Sequence, residues 1–188
     1  MISISILQWI ERFSGVMAIF IAWFFVVAPA LKFGINSKFE TITVSTTKSQ
    51  SVKKLIGCGL IVGAVFQSLF LFYVARKFSI SLFDFGSLLY LSANLATVLV
   101  AFFTHSRCPK IHSIMVLYYF ITLPVSLLFI GISAEPNSRY LLLVSVFAPT
   151  LYFAGQVLLF KKYKNYNALM EFWAFFVLSI WTLAATFI

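Results

Sequence analysis

Acidic residues are scarce in this chain. Five Asp and Glu stand against fourteen Lys and Arg in 188 residues, and charged residues make up 10% of the whole. No paired-carboxylate spacing is visible among so few acids, and no Ser/His/Asp arrangement stands out. Cysteine is nearly absent: Cys58 and Cys108 lie far apart without CxxC spacing, which excludes a redox or metal signature and gives no reason to expect a disulfide. The chain also lacks G-x-S-x-G, H-E-x-x-H and P-loop patterns. These absences give an expectation of no catalytic residue, no metal and no cofactor.

What is present is apolar. Hydrophobic residues make up 62%, Phe alone contributes 23, and the mean hydropathy is +1.01. An ordinary soluble domain is about 45–50% apolar, and a globule this small has too little interior to hide the excess. A bilayer removes the difficulty, because lipid covers the outer faces. Six apolar runs stand out, at roughly 13–33, 55–75, 86–104, 113–133, 140–160 and 168–188. Each has the length needed to cross about 30 Å of hydrocarbon at about 1.5 Å per residue. The first follows Arg12 and ends in Ala28-Pro29-Ala30, which has the shape of a signal-peptide cleavage site; we read it as the first span. The connections are short, and the longest, from Gly34 to Lys54, is rich in Ser, Thr and Lys. The expected fold is all-α: one polytopic integral membrane domain over residues 1–188, built as a bundle of about six transmembrane helices.

A net charge of +9 suggests nucleic acid in a soluble protein. Here the basic residues sit in short connections between apolar runs, where they set topology and meet anionic headgroups. No nucleic-acid partner is expected. The first, third and fifth connections hold Lys32, Lys38, Lys48, Lys53, Lys54, Arg107, Lys110, Lys161, Lys162 and Lys164; the other side holds Arg12, Arg76, Lys77 and Arg139. The positive-inside rule then places the richer side in the cytoplasm and both termini outside. The expected location is the plasma membrane.

Polar residues inside spans carry the functional information, because hydrocarbon penalises them. On helical spacing, Gly59, Gly63 and Gln67 share a stripe of the second span, a GxxxG pair extended by an amide. Tyr90, Asn94, Thr97 and Ala101 line one face of the third. His112, Met115, Tyr119, Thr122 and Ser126 line one face of the fourth, and Pro149, Tyr152 and Gln156 one face of the fifth. Glu171 is expected to be the only acid within a span, near its start and paired with Lys161, Lys162 or Lys164. Interhelical packing accounts for most such stripes. The sharper expectation is a polar pocket formed by Gln67, Asn94, His112, Tyr119, Thr122, Gln156 and Glu171, with Gly59 and Gly63 packing helices. His105 and His112 flank Cys108, but the spacing matches no common zinc pattern, and both sit at the interface rather than deep in facing helices as a haem requires.

One further stretch has a familiar layout. A span ends at Asn94–Thr104, a short connection follows, and His112 opens the next span ahead of Tyr118-Tyr119-Phe120. This resembles the DRAM-like six-helix membrane proteins and their uncharacterised bacterial relatives, in which a histidine commonly starts the fourth helix. The resemblance implies a six-helix fold, a lipid-related role and termini inside, the last opposed by the charge bias; the first loop also lacks the clear proline-containing motif.

Three functions follow in order. The first is a non-enzymatic protein binding a lipid or small molecule among its helices, or serving as a membrane partner subunit, with membrane lipids and a homo-oligomer or larger membrane complex as its partners. The second is a small transporter or channel, oligomeric through Gly59 and Gly63. The third, least favoured, is an intramembrane enzyme using His112 or Glu171.

Overall fold

Ser138 and Asn167 start helices for the reason that short polar side chains do. The Ser138 hydroxyl accepts from the Leu141 amide at 3.1 Å, and the Asn167 side chain accepts from the Leu169 and Met170 amides. Pro109 occupies a first-turn position, where its missing N–H removes no helical bond. Lys164 ends the fifth span in the left-handed region, at φ 60°. The computed structural model describes residues 2–32, 41–42, 49–105 and 107–188, with the side chains of 2–5 left aside. Lys38, Lys48 and most of the first connection lie outside the described residues.

Six helices among the described residues are long and apolar enough to cross a membrane. The first, α1, runs as Ile2–Ile21, a π-helical turn Ala22–Val27, and Ala28–Lys32. The others are α2 (Gln50–Lys77), α3 (Phe85–Phe102), α4 (Pro109–Ala134), α5 (Arg139–Tyr163) and α6 (Ala168–Phe187). Between 28% and 50% of each apolar window is buried inside the chain, so the remainder faces lipid. The protein is an all-α, polytopic integral membrane protein.

Each helix packs on the next in sequence, and α1 closes the ring against α6. The π turn has a local cause. Pro29 cannot donate to the Phe25 carbonyl, and the ring crowds that carbonyl. The helix widens one turn earlier, with the Ala28 amide bonding to the Trp23 carbonyl. The widened turn presses into a notch on α2: a Cβ at Gly59 would lie 2.7 Å from Phe25 Cβ.

The ring is tight at one end and looser at the other. At the end holding both termini, Gly15 meets Phe70 and Thr182, Gly86 meets the backbone of α4, and Gly131 meets Ser145 of α5. The main core fills that end, with Phe70, Tyr90, Leu127, Leu141 and Trp181 almost fully buried. Trp181 stands at its centre. The indole N–H donates to Ser145 Oγ at 2.8 Å, and the ring packs near Phe70 and Tyr90 at centroid distances of 6.2 and 6.3 Å. A smaller cluster, Val26, Ala30, Ile42, Val52, Ile56 and Ala168, binds α1, α2 and α6 at the other end.

The first span begins earlier than its hydropathy suggests, and this corrects the expectation about acids. Glu11 lies inside α1, 6% exposed, and pairs with Arg76 of α2 at 3.0 Å. A neighbouring helix supplies the cation, so the carboxylate sits in a stretch that, read alone, looks like a polar lead-in. Glu171 is therefore not the only acid within a span.

Candidate functional site

The basic end of the ring holds a cavity of about 140 Å³. Its α2 wall extends from Lys53 to Gln67, about 21 Å at 1.5 Å per residue. Its mouth carries Lys53, Thr104, His112 and Glu171, and its floor is Tyr90, Leu127 and Trp181. The waist is apolar, formed by Val26, Ile56, Leu60, Val116, Phe120 and Phe175.

Polar groups return at depth. The Tyr90 hydroxyl donates to Gln67 Oε1, and Asn94 Nδ2 donates to Ser68 Oγ at 3.2 Å. Each amide thus spends one end on a neighbouring helix. By the side-chain inventory, the Gln67 N–H₂ and the Asn94 carbonyl are left to face the cavity that both residues line. The deep site offers a donor and an acceptor and no net charge.

The mouth is different. Glu171 is 4% exposed, and its Oε2 accepts from the Ile42 amide at 2.6 Å. The expected lysine pairing is corrected: Lys161, Lys162 and Lys164 all point out to solvent, and the backbone at Ile42 takes their place. His112 Nδ1 lies 2.8 Å from the Phe103 carbonyl. A carbonyl can only accept, so Nδ1 carries the proton in that bond. The His105 and His112 rings are 5.8 Å apart and edge-to-face, and among the described residues no group of three or more His, Cys, Asp and Glu is placed to hold a metal.

A second cavity of about 320 Å³ adjoins the mouth and shares His112, Val116, Phe120 and Glu171 with the first. Thr41, His105, Ser113, Leu117 and Tyr166 are the other described residues of its wall. Tyr166 lies in the α5–α6 connection. Desolvation, and then the Glu171 carboxylate, push its hydroxyl well above the ordinary phenol value, so it meets this space as a hydrogen-bond donor.

Five of the seven expected pocket residues therefore come together on the first cavity: Gln67, Asn94, His112, Tyr119 and Glu171. Thr122 and Gln156 do not. The cavity face of α4 runs through His112, Val116, Tyr119, Leu123 and Leu127, and Thr122 lies about 100° round the helix from Leu123, buried elsewhere. Gln156 donates to the Met170 carbonyl at 2.9 Å and ties α5 to α6, because no α5 residue lines either cavity. Gly59 and Gly63 both face α1 of the same chain, so that stripe is already occupied and is not a surface for a second copy. Trp181, Tyr90 and Lys53 were missed as a floor and rim. Only their meeting across helices marks them.

The fold and cavity define a multi-pass membrane protein with a closed-bottom internal chamber. Compared with protein-family models, with curated proteins and with solved structures, the chain matches none. The DRAM-like resemblance accordingly rests on the six-span layout and His112.

Proposed function

We propose that this protein binds an elongated amphiphile, a lipid or a small molecule of similar shape, within the bundle, without chemically transforming it. The observation carrying this is the dead-ended cavity, wet-lined at mouth and depth and apolar between. An apolar waist suits a hydrocarbon segment, and the Gln67 and Asn94 amides suit a hydroxyl, carbonyl or amide at its inner end. The loop charges favour both termini outside, so that the mouth opens toward the cytoplasmic leaflet; the plasma membrane is the proposed location. Lipids are the expected partners.

A brominated long-chain alcohol tests the reading, because bromine quenches indole fluorescence at short range. Trp9 is 65% exposed on the lipid face and is removed as Trp9→Phe. Trp23 and Trp173 remain, so the signal of Trp181 at the floor is taken as the difference between this protein and the same protein carrying Trp181→Phe. A Gln67→Ala/Asn94→Ala/Tyr119→Phe protein that folds and is quenched as strongly as its parent rules the pocket out.

Transport is the second reading. It is favoured by the π turn of α1, which places Ala22 and Val26 on the cavity wall where such turns often mark functional positions. The core around Trp181 closes the far end in this conformation, so transport requires that floor to part. Glu171-dependent solute flux into liposomes is its test.

A further inference from the structure

The second cavity opens sideways. Leu117 belongs to its wall and is also 61% exposed on the bilayer face of α4. No α5 residue lines this cavity, and Leu158 in the basic-end half of α5 is 67% exposed. The Phe120 and Tyr166 rings, 6.0 Å apart, stand at the lip between α4 and the α5–α6 connection. A molecule dissolved in the leaflet thus has a way to the junction of the two cavities without crossing the loops.

Glu171 is at that junction and, among the described residues, is the single acid in either wall. Its Oε2 is engaged by the Ile42 amide; among the described residues Oε1 has no hydrogen bond. A carboxylate held this far from water is costly unless a cation or several donors compensate it. Lys53 faces the first cavity; among the described residues no Lys or Arg lines the second. Among the described residues the titratable groups facing Glu171 there are His105, His112 and Tyr166. A cation entering from the leaflet therefore meets the carboxylate with no fixed cation among the described residues of that wall.

We infer that Glu171 receives the cationic head of a bilayer-borne, single-chain amphiphile whose chain lies in the first cavity. This rests on the pocket reading above and adds the charge of the head, the residue that holds it and the route. From Glu171 to Trp181 along α6 is about 15 Å, a span suited to a medium-length alkyl chain with its head on the carboxylate and its tail on the indole.

Three matched probes test it: an ω-bromoalkylamine, the ω-bromoalkanol and the ω-bromoalkanoate of one chain length. Each is titrated in phosphatidylcholine nanodiscs into Trp9→Phe protein and into Trp9→Phe/Trp181→Phe protein, and the difference gives the Trp181 fluorescence. The amine is expected to bind about tenfold more tightly than the alcohol after correction for partitioning, the size of one charge-assisted hydrogen bond. Glu171→Gln keeps an acceptor for the Ile42 amide and should bring the amine-to-alcohol ratio to near one, whereas Glu171→Asp should keep much of the preference. Should Glu171→Gln not fold, Ser113→Lys sets a cation into the second cavity from an exposed wall position and should abolish the preference with the carboxylate intact. Amine and alcohol binding alike, in parent and variants, overturns the inference and leaves the pocket standing. A preference for the alkanoate also overturns it and assigns an anionic ligand. Quenching of Trp181 by none of the three removes the pocket and the inference together.

Discussion

Gly59 and Gly63 form a symmetric GxxxG pair in sequence, yet the structure makes them unequal, and alanine substitution should expose the difference. A Cβ at Gly63 would find Ile21 Cγ2 at 3.7 Å, an ordinary contact. Gly63→Ala should therefore keep the helix-propensity gain of about 0.8–1 kcal/mol. A Cβ at Gly59 would lie 2.7 Å from Phe25 Cβ and 3.3 Å from Val26 Cγ2. Phe25 Cβ is fixed to the backbone of the π turn, so no rotamer change relieves the clash; α1 must retreat by about 1 Å to restore contact distance. Overpacking of this kind costs about 1–3 kcal/mol. Gly59→Ala should thus fall below Gly63→Ala by about 1–3 kcal/mol, or about 2–4 °C per kcal/mol in a chain of this size. The assay is thermal unfolding of both variants in one detergent, read by intrinsic fluorescence. Equal midpoints, or a higher one for Gly59→Ala, would refute the seating of the π turn in the Gly59 notch.

Other perturbations separate scaffold from cavity. Gly63→Leu should fold normally and weaken bromoalkanol quenching of Trp181, since its side chain enters the cavity that Gly63 lines. Gln156→Leu should lower stability by about 0.6–2 kcal/mol through the lost Met170 carbonyl bond while leaving probe binding unchanged; Asn94→Ala should weaken probe binding. Arg76→Ala should cost more than Arg76→Ala combined with Glu11→Gln, because the single change strands a buried carboxylate. Arg76 is 49% exposed, so the difference should be only about 1 kcal/mol, measured by unfolding in mixed micelles. A double-mutant cycle on Trp181→Phe and Ser145→Ala should give a coupling of about 0.6–1.7 kcal/mol for the bond that anchors the floor.

The six spans were legible because their cause is local. Hydrocarbon demands about twenty consecutive apolar residues whose backbone groups bond within the segment, and each run carries that requirement in itself. The polar stripes were legible for the same reason, since helical spacing alone puts Gln67 in line with Gly63 and Asn94 with Tyr90. Four of the pocket residues, Gln67, Asn94, His112 and Tyr119, followed from this, and Glu171 from being an acid near the start of a span. What spacing cannot say is which stripe faces which neighbour. Thr122 shares a stripe with Tyr119, yet the orientation of α4 in the ring turns it away from the cavity. Gln156 points toward α6 because α5 stands outside the cavity wall. Glu11 became a membrane acid only because Arg76 arrives from another helix, and Glu171 drew its partner from the backbone at Ile42 rather than from the nearby lysines. The amino-acid sequence by itself determined that this chain lives in a bilayer and roughly which segments cross it, because hydropathy and length act within each segment. The tertiary structure decided that the basic end is hollow, that Trp181 closes it and that Glu171 stands at a sideways opening. Those features come from the packing of helices distant in the chain, and no single segment encodes them.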